Sequence, residues 1–154
     1  MNPPAKHWLA VYDRDHVNAA NRLIHWICAP AFLAGLLGLL WHLPMPAAPA
    51  TSLAAINWAT LFAMASVVYY FIMSISLAIG ALLFLTGVLG WIAWLVFSGA
   101  PLLIFSSLLL LGAAVGLFIG HRLDSSGSLS KDFMFFVIAT MWALAALYRS
   151  LGIV

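Results

Sequence analysis

The sequence predicts an all-α membrane bundle with four full spans and a fifth membrane-embedded apolar segment. Three observations lead there. From Leu23 to His121 the chain carries no Asp, Glu, Lys or Arg. Such a block is far longer than one core helix and long enough to cross a hydrocarbon layer of about 30 Å several times. Composition agrees: 66% of the 154 residues are hydrophobic and 6% are charged, with a mean hydropathy of +1.11. Soluble domains are about half apolar and about a quarter charged. Thirdly, helix-breaking residues recur at intervals that suit spans.

Residues 1–18 read as a polar, amphipathic lead. Its two aspartates and its length argue against a cleaved secretory signal. Asn18 is suited to cap a first helix through its side-chain oxygen. That helix is expected to reach about Trp41, where Trp41 and His42 suit an interface and Pro44, Pro46 and Pro49 stop it. A second span is expected from Leu53 to Phe71, a tight break at Met73-Ser-Ile-Ser76, and a third span from Leu77 to Phe97. Ser98-Gly-Ala-Pro101 is a turn, with Pro101 suited to the first turn of a fourth span that runs to about Gly120. Residues 119–132 form a polar segment, and Ser125-Ser-Gly-Ser128 within it reads as a loop. Phe133 to Tyr148 is apolar but only 16 residues long, so it either crosses or lies as a re-entrant or interfacial helix. The whole chain, 1–154, reads as a single membrane domain.

Small residues recur at packing intervals: Gly35 with Gly38, Gly80, Gly87 with Gly90, and Gly112 with Gly116. Such spacing permits close helix approach, and a homo-oligomer is allowed by the same pattern. Lys6, Arg14 and Arg22 precede the first span, and Arg122 and Lys131 follow the fourth. The intervening loops are uncharged. Four spans put both basic regions on one side, the cytoplasm by the excess of basic residues. Arg149 joins them if the last segment does not cross.

The six basic residues form no cluster that could grip phosphates, so the pI near 9 does not indicate a nucleic-acid partner. Glutamate is absent, which leaves Asp13, Asp15, Asp124 and Asp132 as the only carboxylates. One cysteine, Cys28, rules out an intrachain disulfide and a thiolate zinc cluster. It reads as a small core residue.

The histidines are the candidate chemistry. With four spans, His16 and His25 flank the cytoplasmic start of the first span and His121 ends the fourth, so all three reach one membrane depth. His42 lies at the opposite face and His7 in the polar lead. Tyr12 with His16, and Asn21 with His25, stand at i, i+4 and share a helix face. His16 and His25 are nine apart, half a turn out of phase on one continuous helix. A break near Asn18 would let both meet one ion. Neutral imidazoles with few carboxylates suit zinc or iron and leave positions open for oxygen or substrate. Tyr12, Asn18, Asn21 and Asp124 are candidates to orient such ligands. Arg14, Arg22 and Arg122 could pair with a substrate carboxylate at the cytoplasmic rim. Trp58, Met64, Tyr69, Tyr70 and Met73 could line a tunnel for an acyl chain. The bland alternative gives each histidine a structural role: bonding to backbone, snorkelling, or binding a lipid phosphate.

Tyr12-x-x-x-His16-x-Asn18-x-x-Asn21-x-x-x-His25, followed by Ile27-Cys-Ala-Pro30, resembles the amino-terminal signature of the fungal 2-hydroxy-fatty-acid dioxygenase family. Val68-Tyr-Tyr-Phe-Ile-Met73 and Ile119-Gly-His121 are similar to later patterns of that family, in order and across nearly the whole chain. The resemblance implies a small polytopic membrane enzyme that uses ferrous iron and O₂ to shorten long-chain 2-hydroxy fatty acids by one carbon. It implies iron ligation by His16, His25 and His121. The chain departs from the pattern after His121: Ser125 stands where the family carries a glutamate, and no Pro-Ala follows. Asp124 is one residue from that position. Two other classes compete: a b-type haem protein with His25 and His121 as axial ligands, and a non-enzymatic lipid-binding or scaffold protein of the membrane.

Overall fold

The computed structural model describes residues 7, 10, 18–45, 56–123 and 136–150. Five helices make up these residues: α1 (Ala19–His42), α2 (Trp58–Met73), α3 (Ile75–Phe97), α4 (Leu102–Leu123) and α5 (Phe136–Ser150). The fold is all-α, as expected. α1, α3 and α4 are each long and apolar enough to cross a membrane, whereas α2, at 16 residues, is shorter.

Local chemistry sets most of the helix ends. Asn18 caps α1 from an extended backbone, its Oδ1 accepting the Ala20 N–H at 2.9 Å. Pro30 lies inside α1 and gives up one backbone bond without ending the helix. α2 starts at Asn57 rather than near Leu53. Asn57 Oδ1 accepts the Thr60 N–H at 3.0 Å and Thr60 Oγ1 accepts the Asn57 N–H at 2.9 Å, a reciprocal capping box. α2 and α3 are separated by Ser74 alone, whose extended backbone breaks the helix at the expected place. α3 ends at Gly99 with φ of 72°. There the Gly99 N–H reaches Val96 O and the Ala100 N–H reaches Leu95 O, at 3.1 and 3.0 Å, closing a Schellman turn. Pro101 sits just before α4, its carbonyl accepting the first bonds of that helix from Ile104 and Phe105.

α1 is the central helix. Its most extensive partner is α4, and it also meets α2 and α5. Gly35 lies against the Leu110 backbone, Gly38 against Ser106, Gly116 against Cys28 and Gly120 against Asn21. Residue numbers rise along one helix as they fall along the other, which defines an antiparallel pair. A Cβ built on Gly35 would lie 2.8 Å from Leu110 N, so this interface depends on a residue without a side chain. Gly87, Gly90 and Gly112, also expected to pack, have open space around them among the described residues.

Two apolar clusters stack along the bundle. One joins Leu33 and Leu37 of α1 to Ala59 and Ala63 of α2 and to Leu85, Ile92 and Leu95 of α3. The other joins Ala29 to Tyr70, Met73, Leu77 and Ala81, and is closed by Trp142 of α5. The start of α2 thus meets the end of α3, and the two form an antiparallel hairpin about Ser74. The described contacts of α5 fall on Trp26–Pro30 of α1 and on Ser76–Phe84 of α3. Trp142 is fully buried and meets Trp26 edge to face, with centroids 6.4 Å apart. The Tyr148 hydroxyl donates to Ser76 O at 3.2 Å and lies over Gly80.

Candidate histidine site

His25 is 1% exposed, on the face of α1 that meets α4. Its Nδ1 lies 3.1 Å from the backbone carbonyl of Asn21, one turn earlier. A carbonyl only accepts, so Nδ1 carries the hydrogen and Nε2 becomes the lone-pair nitrogen of the neutral ring. That orientation and tautomer are the usual preparation of a ligating imidazole. Asn21, also 1% exposed, stands beside His25.

Gly120 of α4 faces both residues. A Cβ there would come 2.5 Å from Asn21 Oδ1, 3.1 Å from Ile24 Cγ2 and 3.5 Å from His25 Cε1. Any side chain at position 120 would therefore crowd the Asn21, Ile24 and His25 side chains at this end of α1. His121 follows directly, half-buried in the last turn of α4. The start of α1 and the end of α4 lie side by side at His25 and Gly120. His16, Tyr12, Arg14, Asp124 and Ser125 lie outside the described residues. Among the described residues no three His, Cys, Asp or Glu side chains form a group able to hold a metal; the expected third ligand, His16, is not one of them. His42 is exposed at the opposite end, and His7 is exposed.

The remaining candidates divide. Asn18 caps α1 through its side-chain oxygen. Arg122 is exposed and holds its guanidinium 5.0 Å above the Phe118 ring centroid, a cation–π contact. Arg22 is exposed and borders an open hollow of about 290 Å³ with Ala19, Leu23 and Trp26.

The expected acyl tunnel is not formed by the residues named for it. Tyr70 and Met73 are buried in the cluster around Trp142, whereas Trp58, Met64 and Tyr69 are exposed on the outside of the bundle. Trp58 instead donates its Nε1–H to the Pro44 carbonyl at 3.1 Å. An apolar cleft does exist elsewhere. It holds about 250 Å³ between α1, α3 and α5, and its walls include Trp26, Pro30, Phe84, Thr140, Leu144 and Leu147. Sequence reasoning missed this cleft. The available signal was Arg22, Trp26 and Pro30 at i, i+4 and i+8 on one helix face.

No family model, no curated protein and no solved structure matches the chain. The geometry defines an all-helical bundle with three apolar helices long enough to cross a membrane and a buried histidine at one end of the α1–α4 pair.

Proposed function

We propose that this chain is an integral membrane dioxygenase that uses ferrous iron to shorten long-chain 2-hydroxy fatty acids by one carbon. The observation that carries the reading is the His25 imidazole, buried, turned by the Asn21 carbonyl into its Nε2-basic form, and packed beside Gly120, the residue before His121 in α4. A burial this complete is costly for imidazole in an apolar bundle and is most often met at functional sites. The amino-terminal Tyr, His and Asn signature adds the resemblance already described.

His25 and His121, with His16 from the preceding segment, would hold the ion; neutral nitrogen donors of this kind suit Fe(II). Bound iron would supply Lewis-acid polarisation and a place for O₂ beside the 2-hydroxy acid. The C1–C2 bond breaks, C1 leaves as CO₂, and C2 becomes the carboxyl carbon of the shortened acid. One O₂ is consumed and one water is formed. The chain's own part is to orient imidazoles, hold the acid's head group near basic residues and keep bulk water from His25.

The orientation that accompanies the proposal puts residues 1–22 and 121–132 in the cytoplasm, from the distribution of basic residues. Labelling of single cysteines placed at Ser52 and Ser126 in a Cys28→Ala background should then give opposite accessibilities; equal labelling from one side removes that topology.

The functional test is direct. Purified protein loaded with ferrous iron should convert 2-hydroxypalmitate in air to the acid one carbon shorter. Chelation should stop turnover and added Fe(II) should restore it. The His25→Ala variant should lose bound iron by elemental analysis. Iron-loaded protein that leaves 2-hydroxy acids of several lengths unchanged would refute the activity. An unaltered metal content in a His16, His25 and His121 triple-Ala variant would leave a non-enzymatic lipid-binding role.

A further inference from the structure

We propose that Arg22, Trp26 and Pro30 line one continuous groove that binds a long-chain fatty acid, with its carboxylate at Arg22 and its chain in the cleft between α1, α3 and α5. The identity of this acid as a substrate rests on the dioxygenase reading; the groove itself does not.

The three residues stand four apart along α1 and share a face. The hollow at Arg22 and the apolar cleft have Trp26 as a common wall. From Arg22 to Pro30 the helix rises about 12 Å, which carries the groove from the polar end of α1 into the apolar depth of the bundle. Its deeper walls are Phe84 of α3 and Leu144 and Leu147 of α5. The first of these lies nine residues into α3 from Ile75.

Charge selects the occupant. Arg22 is the only Lys, Arg, Asp or Glu in α1, and it borders the hollow at the end where the helix leaves the apolar block. One guanidinium at the mouth and one narrow apolar cleft behind it match one anionic head and one chain. The head group would then lie within one turn of His25, whose ring points to the adjacent α4 face.

The test uses the full-length chain in detergent micelles, without added iron, and a doxyl-labelled stearic acid observed by electron paramagnetic resonance. An immobilised component should appear and unlabelled palmitate should displace it. Arg22→Gln should weaken binding by about tenfold or more, the loss of one hydrogen-bonded charge pair, and Arg22→Lys should keep most of it. Ala143→Phe, which fills the cleft, should remove the immobilised component while the circular dichroism of the helices is kept. The proposal is overturned if the wild-type chain immobilises no label, if Arg22→Gln and Ala143→Phe both bind as the wild type does, or if phosphatidic acid displaces the label and palmitate does not. Palmitate lacks the 2-hydroxyl, so binding is read apart from turnover. Binding without conversion of 2-hydroxypalmitate keeps the groove and removes the dioxygenase; conversion unchanged in both variants keeps the dioxygenase and removes the groove.

Discussion

Replacing Gly35 by Ala and, separately, Gly87 by Ala should shift stability in opposite directions. Both glycines lie inside apolar helices, so each substitution gains about 0.5–1 kcal/mol of helix propensity. At Gly87 that gain stands alone, because no atom from another part of the described residues lies within 4 Å of the new methyl. At Gly35 the methyl would lie 2.8 Å from Leu110 N and 3.0 Å from Leu110 Cα. Those are backbone atoms of α4 and cannot rotate away, so α4 must retreat by several tenths of an ångström. A gap of about 0.5–1 Å forfeits a quarter to a half of each dispersion well along the seam, and overpacking of this kind costs about 1–3 kcal/mol. Subtracting one variant from the other cancels propensity and leaves that cost. The assay is reversible unfolding in mixed micelles of rising dodecyl sulfate content, followed by far-ultraviolet circular dichroism. A difference below about 0.5 kcal/mol, the ordinary scatter of uneventful substitutions, would refute the close approach of α1 and α4.

Three other outcomes are expected. Gly120→Val should reduce iron binding by the purified protein, because its side chain would crowd Asn21, Ile24 and the His25 ring; unchanged metal content by elemental analysis would argue against a site at this contact. Asn57→Ala should destabilise the start of α2 by about 1 kcal/mol through loss of its capping box, read as faster amide exchange at residues 58–61 than in the wild type. Trp142→Ala should cost about 3 kcal/mol, the low end for aromatic truncations since the reference state here is lipid rather than water, and should expose α5 to limited proteolysis before the other helices.

Punctuation and depth were legible in the sequence. Asn18, the Ser74 break and the turn at Ser98–Pro101 each act through local backbone chemistry that a few residues encode. The start of α1 and the end of α4 lie side by side at His25 and Gly120, a placement that an antiparallel pairing of the two helices gives. The start of α2 was not legible from hydropathy, because Leu53 to Ile56 is as apolar as the helix itself. What decides it is the Asn57–Thr60 reciprocal bond, a polar detail inside an apolar run. The inward faces were harder still. In a bilayer the solvent is as apolar as the core, so residue type does not separate Tyr70, which is buried, from Tyr69 and Met64, which are not. For the same reason spacing alone could not tell Gly35, which touches a neighbour, from Gly87, which does not.

The hairpin about Ser74 has unequal arms. α2 has 16 residues and α3 has 23, about 24 Å and about 35 Å of helix at 1.5 Å per residue. The arms begin level at Ser74, so they end about 10 Å apart at the other surface. There the shorter arm finishes at Asn57 and Trp58, with the indole tied to Pro44. An apolar helix of about 24 Å falls short of a hydrocarbon layer of about 30 Å, whereas α3 matches it. The hairpin therefore sets a membrane-length helix against one that is several ångströms too short, and the capping box at Asn57 and Thr60 is what fixes the difference.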